Sequence, residues 1–349
     1  MSQISTGLNI AVVRFSALGD VAMMVPAVRH LQRSLPGATI TWITSPLCYA
    51  LLHGLEGVQF VVCDKPHSLA DYRAFYRLFR QRRFDVVLAM QANLRVNLLY
   101  PALRATRKIG FDRTRAREGQ WLFCNQHIPF EDNHLVDSFM SFATALGAPR
   151  GEPDCSLPIS SAERTRARQQ LTALPRPLIA MHPFASKAER NWPLARLAEV
   201  MRQAGERWNA GFMLTGGNSA AEREGCAELA DIMPQRTLNL CGQTEPKQLA
   251  ALLGEADVLI APDTGPVHLA RAMNTPVIGL YAVASPRLCG PYGEQQHVID
   301  RYPQAVRQFL HKDPARLPWN TRVHHPDAMS LIQVDDVMAQ LSRVLEPHA

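Results

Sequence analysis

The chain has 349 residues, 47% of them hydrophobic and 19% charged, too long for one ordinary domain and too apolar for a disordered chain. Its formal charge of +6 is uneven: residues 1–150 hold 17 Lys and Arg against 10 Asp and Glu, the remainder 20 against 21, so an anionic partner is expected at the N-terminal half. Seven scattered cysteines without a CxxC pair argue against a disulfide framework or a zinc site. With no secretory pattern at MSQISTGLN and no apolar run near the ~20 residues of a membrane span, a cytoplasmic protein is expected.

Residues 8–15 (LNIAVVRF) form a β-branched apolar run, the pattern of a buried parallel strand. A turn over 16–20 leads into helical spacing over 21–35, and strands follow at 39–44 (TITWIT), 58–63 and 85–90, with a helix at 69–82. Strands alternating with helices predict βαβ units and a parallel sheet. The helical stretch 133–146 stops at Gly147, and GAPRGEPDCSLPIS then approaches a linker. The alternation restarts with strands at 177–182, 211–215, 237–240, 258–261 and 276–280, and an amphipathic helix closes the chain at 334–345. Two α/β, Rossmann-like domains are expected, at 1–160 and 161–349, with parallel sheets facing across a central cleft; the closing helix is free to pack back on the first domain. Ligands of such sheets bind at the carboxyl ends of the strands.

Four loops leave strand ends with residues suited to chemistry. In FSALGD, Asp20 serves either as an N-cap for a helix starting at Val21 or as a general base taking a proton from an attacking hydroxyl. In APDTGPVH, the helix start with Gly265 and Pro266 offers N–H groups and a dipole to phosphate. There Asp263 is expected to meet sugar hydroxyls, or phosphate through a neighbouring cation, while His268, about one turn into the helix, either reaches the same ligand or is an ordinary interior histidine. In HPFASKAERNWP, Ser186, Lys187 and Arg190 either supply a hydroxyl and cations that stabilise a diphosphate leaving group without a metal or belong to a solvated surface loop. After the turn Gly216-Gly217-Asn218, Glu222 is either a ribose-binding acid or a surface helix residue.

The run IAVVRFSALGDVAMMVPAV resembles the N-terminal signature of the ADP-heptose lipopolysaccharide heptosyltransferases, glycosyltransferase family 9. APDTGPVHLARAMNTPVIGLY is similar to their donor-site signature, and the WP-containing loop and TGG turn fall between the two in the expected order. The resemblance implies a GT-B fold and an inverting, metal-free transfer with no cofactor. ADP-heptose or a similar nucleotide sugar would occupy the second domain, and an anionic glycolipid of the lipopolysaccharide inner core the first. It makes Asp20 the general base. It assigns Arg190, with Lys187 and Ser186 nearby, to the donor phosphates, Asp263, Thr264, Gly265 and His268 to donor binding, and Glu222 to the ribose. TRARE resembles an acceptor-side segment and points to Arg117; HLVDS points to His134 beside the acceptor. Ala185-Ser186 replaces the paired threonines of some members, which leaves open the core sugar that is extended.

Residues 72–84 (YRAFYRLFRQRRF) have two readings, a helix with an aromatic core face and a solvated arginine face, or a peripheral contact with an anionic membrane. A nucleotide-sugar epimerase shares the two-domain fold but has no need of an acceptor-side base with an arginine-rich face. Nucleic acid is not an expected partner, since neither zinc-finger spacing nor an RNP-type aromatic motif accompanies the basic half.

Overall fold

The structure is a computed structural model that describes residues 7–131 and 134–346. The chain divides into two compact units between Pro158 and Ile159, inside the Pro-, Gly- and Ser-rich stretch. In the first, β1 (Asn9–Val13), β2 (Thr39–Thr44), β3 (Val58–Val62), β4 (Arg83–Leu88), β5 (Arg104–Gly110) and β6 (Gln126–His127) form one sheet of order β3-β2-β1-β4-β5-β6. In the second, β7 (Leu178–Met181), β8 (Gly211–Leu214), β9 (Thr237–Asn239), β10 (Val258–Pro262), β11 (Val277–Tyr281) and β12 (Ile299–Asp300) run β12-β11-β10-β7-β8-β9. Every pairing is parallel. Counted from the start of each unit, both sheets have the order 3-2-1-4-5-6, which reverses between β1 and β4 and again between β7 and β10. Those two reversals are where such sheets open a crevice for ligands.

The central strands are apolar because they are covered on both faces. Ile10 through Val13 of β1 and all of β7 and β10 are buried, and Ile10 pairs with Ile40 on one side and Val86 on the other. β5 (RATRKIG) carries Arg104, Arg107 and Lys108 and lacks the apolar run that marks the central strands; it and the two-residue strands β6 and β12 were not among the expected strands. On one side of the first sheet Phe75 and Phe79, one turn apart on the helix Leu69–Phe79, pack with Val13, Phe15 and Val87. The helix Leu18–Ser34 is buried through most of its length and packs on the helix Leu135–Thr144. Residue 133, where that second helix was expected to begin, lies outside the described residues.

The closing helix Val334–Leu345 packs on its own unit. Val337, Met338 and Leu341 join the second unit's core with Val200, Phe212 and Ile278, and the helix lies on Leu194–Trp208. Three apolar residues at i, i+1 and i+4 give it a single stripe, and the second unit covers that stripe.

Candidate active site

In the first unit, the turn after β1 brings Asp20 to the sheet's reversal. Asp20 is not the helix N-cap. The helix starts at Leu18, Ala17 occupies the cap, and Asp20 is the third helical residue, whose Oδ2 accepts the Ala17 N–H at 3.1 Å. Arg14, the last charged residue before the turn, places Nη2 2.6 Å from the same oxygen. The guanidinium is fixed on its other edges: Nε donates to the Ser16 carbonyl at 2.7 Å, Nη1 to the Met90 carbonyl at 2.6 Å, and the group lies over the Phe139 ring. Both contacts of Asp20 fall on Oδ2, so among the described residues no hydrogen bond takes up Oδ1, and the side chain is partly exposed. A carboxylate held by one oxygen with the other open is suited to accepting a proton.

Around it the turn is pinned from several elements. The Phe15 N–H donates to Gln91 Oε1 at 2.7 Å, and Ser45 Oγ donates to the Phe15 carbonyl at 2.6 Å. Lys65, beyond the end of β3, donates from Nζ to Ser16 Oγ at 2.6 Å. Burial first, and then the nearby Arg95, push the Lys65 ammonium below its usual range. Neither Lys65 nor Arg95 forms an ion pair with a carboxylate among the described residues. That uncompensated positive charge beside the Asp20 turn suits an anionic ligand.

His134 caps the helix Leu135–Thr144, its Nδ1 accepting the Val136 N–H at 3.1 Å, so a neutral ring carries its proton on Nε2. Arg117 is exposed, on a loop whose carbonyl at that residue accepts from Asn97 Nδ2 at 3.1 Å. Its neighbour Arg115 is the buried one and holds the local structure together, donating to Ser138 Oγ at 2.7 Å and pairing with Asp112.

In the second unit, the reversal between β7 and β10 gathers Ser186, Arg190 and Asp263. Arg190 Nη1 donates to both the Asp263 carbonyl at 2.8 Å and Oδ2 at 2.9 Å, and Nη2 donates to Ser186 Oγ at 2.7 Å. Arg322 places its own Nη1 3.1 Å from the same Oδ2. Burial by itself raises the Asp263 carboxyl, but Arg322 and Arg190 together outweigh it and hold the group below the usual carboxylate range. Asp263 is thus the anionic base of a two-guanidinium cluster, and Arg190 Nε is buried with no partner among the described residues. The loop bearing Arg190 is anchored by Trp192, whose indole is buried and donates to the Ile332 carbonyl at 3.1 Å, and by Asn191, which accepts the Ala185 N–H at 2.8 Å.

Beside this cluster begins the helix Gly265–Ala272. Thr264 is its N-cap but makes no side-chain capping bond. The helix start therefore keeps its positive end unoccupied by its own cap, the condition for anion binding. His268 is buried one turn further on, and Lys187 is exposed. Glu222 bonds locally, its Oε2 accepting the Gly217 N–H while Ser219 Oγ caps the Glu222 N–H at 3.3 Å. The carboxylate therefore shapes the GGN turn. His182, directly after β7, is held by Thr215 Oγ1 2.9 Å from Nδ1, and burial pushes its pKa down to about 4. Thr215 Oγ1 donates to the Met181 carbonyl at 3.3 Å, so His182 Nδ1–H is the donor to Thr215, and the neutral ring offers Nε2 as an acceptor.

Sequence patterns did not single out Arg14, Lys65, His182 or Arg322. The first three follow apolar strands, so a charged or ring residue at a strand's end was the signal available. Arg322 lies in an irregular segment with no such mark. Among the described residues no group of three or more His, Cys, Asp or Glu is arranged to hold a metal ion, all seven cysteines are free, and no helix is long and apolar enough to cross a membrane.

Two parallel sheets of 3-2-1-4-5-6 order, one ending in an anchored carboxylate and the other in a helix start beside Arg190 and Arg322, are the parts of a GT-B fold. Similarity to known proteins specifies it further. The profile of glycosyltransferase family 9 (heptosyltransferase) matches residues 72–315. The lipopolysaccharide core heptosyltransferase OpsX of Haemophilus influenzae is 32% identical, covering 96% of both chains. Among solved structures, the ADP-heptose LPS heptosyltransferase II of E. coli superposes with a TM-score of 0.75 at 21% identity, over 98% of this chain and 100% of that one. E. coli heptosyltransferase WaaC with ADP-2-deoxy-2-fluoro heptose gives 0.70 at 21% identity, over 98% and 100%. This chain belongs to glycosyltransferase family 9, the heptosyltransferases.

Proposed function

We propose that the enzyme transfers heptose from ADP-heptose to the inner core of lipopolysaccharide, on a Kdo-lipid A or heptosyl acceptor, with inversion at the anomeric carbon. The observation that carries this reading is the anchored Asp20, whose Oδ2 is held by Arg14 while, among the described residues, no hydrogen bond takes up Oδ1. The acceptor hydroxyl attacks the anomeric carbon as Asp20 takes its proton. The bond from that carbon to the diphosphate oxygen breaks, its electron pair leaves with ADP, and the proton passes from Asp20 to solvent. As negative charge gathers on the diphosphate, Arg190, Lys187 and the start of the helix Gly265–Ala272 stabilise it, supplying the charge a metal would otherwise bring.

Asp263 acts on the donor through Arg190 and Arg322 rather than by meeting phosphate itself, since like charges repel. Thr264, Gly265 and His268 complete the donor site, and Glu222 positions the turn that approaches the ribose. On the acceptor side Lys65, Arg95 and Arg117 suit phosphates and sugar-acid carboxylates, with His134 beside them. The relatives that act on lipopolysaccharide core and the neighbour holding an ADP-heptose analogue support this choice of substrates.

The test is ADP release by the purified enzyme from ADP-heptose, with and without a heptose-deficient lipopolysaccharide. Release that depends on the acceptor supports the reading. Faster acceptor-dependent release from a different nucleotide sugar would replace the donor, while leaving the fold and base assignment intact.

A further inference from the structure

Three neighbouring segments of the first unit expose apolar side chains together. Leu69 and Leu122 are each 75% exposed and Leu94 52%, and Tyr76, Leu98 and Trp121 are exposed beside them. Hydrogen bonds join the segments into one surface. Tyr72 and Tyr76 of the helix Leu69–Phe79 donate from their hydroxyls to the Arg95 and Leu98 carbonyls, each at 3.0 Å. Asn97 Nδ2 then donates to the Arg117 and Glu118 carbonyls at 3.1 and 2.9 Å, which ties in the turn bearing Trp121 and Leu122. An isolated exposed leucine means nothing, whereas several on one surface rimmed by polar groups mark an interaction site.

The rim is cationic. Between Leu69 and Arg83 the sequence has five arginines and one acid, Asp71. That acid is occupied in the helix cap, its Oδ2 accepting the His67 and Ser68 N–H groups at 2.9 Å each. At the helical period, Leu69, Arg73, Tyr76, Arg77 and Arg80 share one stripe, opposite neither Phe75 nor Phe79 but clear of both. None of Arg73, Arg77 and Arg80 has an ion pair among the described residues, and all three are exposed. Aromatic residues with polar tips, protruding leucines and unpaired arginines on one surface are what an anionic bilayer interface accommodates.

We propose that this surface docks the enzyme on an anionic lipid bilayer. Leu69, Leu94 and Leu122 enter the headgroup boundary while the arginines lie against lipid phosphates. The surface adjoins the carboxylate site: Arg95 Nη1 lies 3.2 Å from His67 Nδ1, and Lys65, two residues before His67, holds Ser16 of the Asp20 turn. Docking would therefore bring the lipid surface to the side on which Asp20 meets its acceptor, an orientation that rests on the glycolipid-acceptor reading above.

Sedimentation with vesicles tests the proposal. The enzyme is expected to pellet with vesicles containing phosphatidylglycerol, less so as salt rises, and to ignore vesicles of phosphatidylcholine alone. The pairs Leu69→Ser with Leu122→Ser, and Arg73→Glu with Arg77→Glu, are each expected to weaken that binding about tenfold or more. Thermal stability and ADP release with a deacylated, water-soluble core oligosaccharide should be unchanged in both. Wild-type enzyme that ignores anionic vesicles, or variants that bind them as wild type does, would overturn it. So would variants that keep vesicle binding but change the oligomeric state in light scattering, since the surface would then be a protein contact. Vesicle binding lost in the variants, with no sugar transfer by any form, would sustain the docking surface and defeat the substrate reading alone.

Discussion

Arg14 Nη2 and Asp20 Oδ2 lie 2.6 Å apart, and the same guanidinium donates to the carbonyls of Ser16 and Met90. One side chain thus fixes both ends of the turn between β1 and the helix Leu18–Ser34, together with the segment after β4. Because every edge of the fork is used, a single positive charge cannot replace it. Arg14→Met is expected to lower the rate of transfer ~10²-fold through misplacement of the carboxylate, with ADP affinity within about twofold of wild type. Arg14→Lys should recover only part of the rate. Steady-state kinetics with calorimetric ADP binding separates the two effects, and an Arg14→Met enzyme with native turnover would remove Arg14 from the positioning of Asp20.

Asp263 makes a different demand. It is buried between two guanidiniums, so Asp263→Asn leaves Arg190 and Arg322 facing each other without a counter-charge, at a cost of about 3 kcal/mol or more. Unfolding in urea should show that loss, and ADP binding should weaken because Arg190 is no longer held. The pH dependence follows from the lowered pKa. The folded group ionises below the ~3.9 of an unfolded aspartate, so its contribution is complete above that value and drains away as the pH falls through the folded pKa. The acid limb of the urea midpoint should therefore be shallower in Asp263→Asn than in wild type below about pH 4.

His182 acts over a higher window. Burial holds its folded pKa at about 4, against ~6.5 in the unfolded chain. The unfolded chain thus takes up a proton as the pH drops through 6.5 while the folded one resists, and stability is lost until the pH reaches about 4. The full effect of that difference is about 3 kcal/mol. His182→Gln should lose less stability than wild type between pH 7 and pH 5 when urea midpoints are compared. Equal losses in the two proteins would mean that the ring is not held neutral by burial.

The fold was largely legible because buried parallel strands are continuous apolar runs, and β1, β7, β8, β10 and β11 are of that kind. β5 was not, since RATRKIG spends its positions on Arg104, Arg107 and Lys108, and two-residue strands such as β6 and β12 leave no periodicity to read. The helix start at Leu18 escaped because Ala17 is a poor cap and Asp20 a good one, so the residue that looked like the boundary lies inside the first turn. In the second unit, Ser186, Arg190 and Asp263 meet as their strand-end positions implied. Arg322 completes that cluster from 59 positions beyond Asp263, in a segment with no periodic pattern, and only the folded chain brings it there. The closing helix showed its amphipathic stripe in sequence but not which unit would cover it.

The role of Asp20 is tested most directly by Asp20→Asn, which keeps the side chain's size and removes its basicity. ADP release from ADP-heptose in the presence of heptose-deficient lipopolysaccharide is expected to fall by about 10³-fold or more, while calorimetry gives an ADP affinity within about twofold of wild type. Near-native acceptor-dependent release by Asp20→Asn would contradict Asp20 as the base.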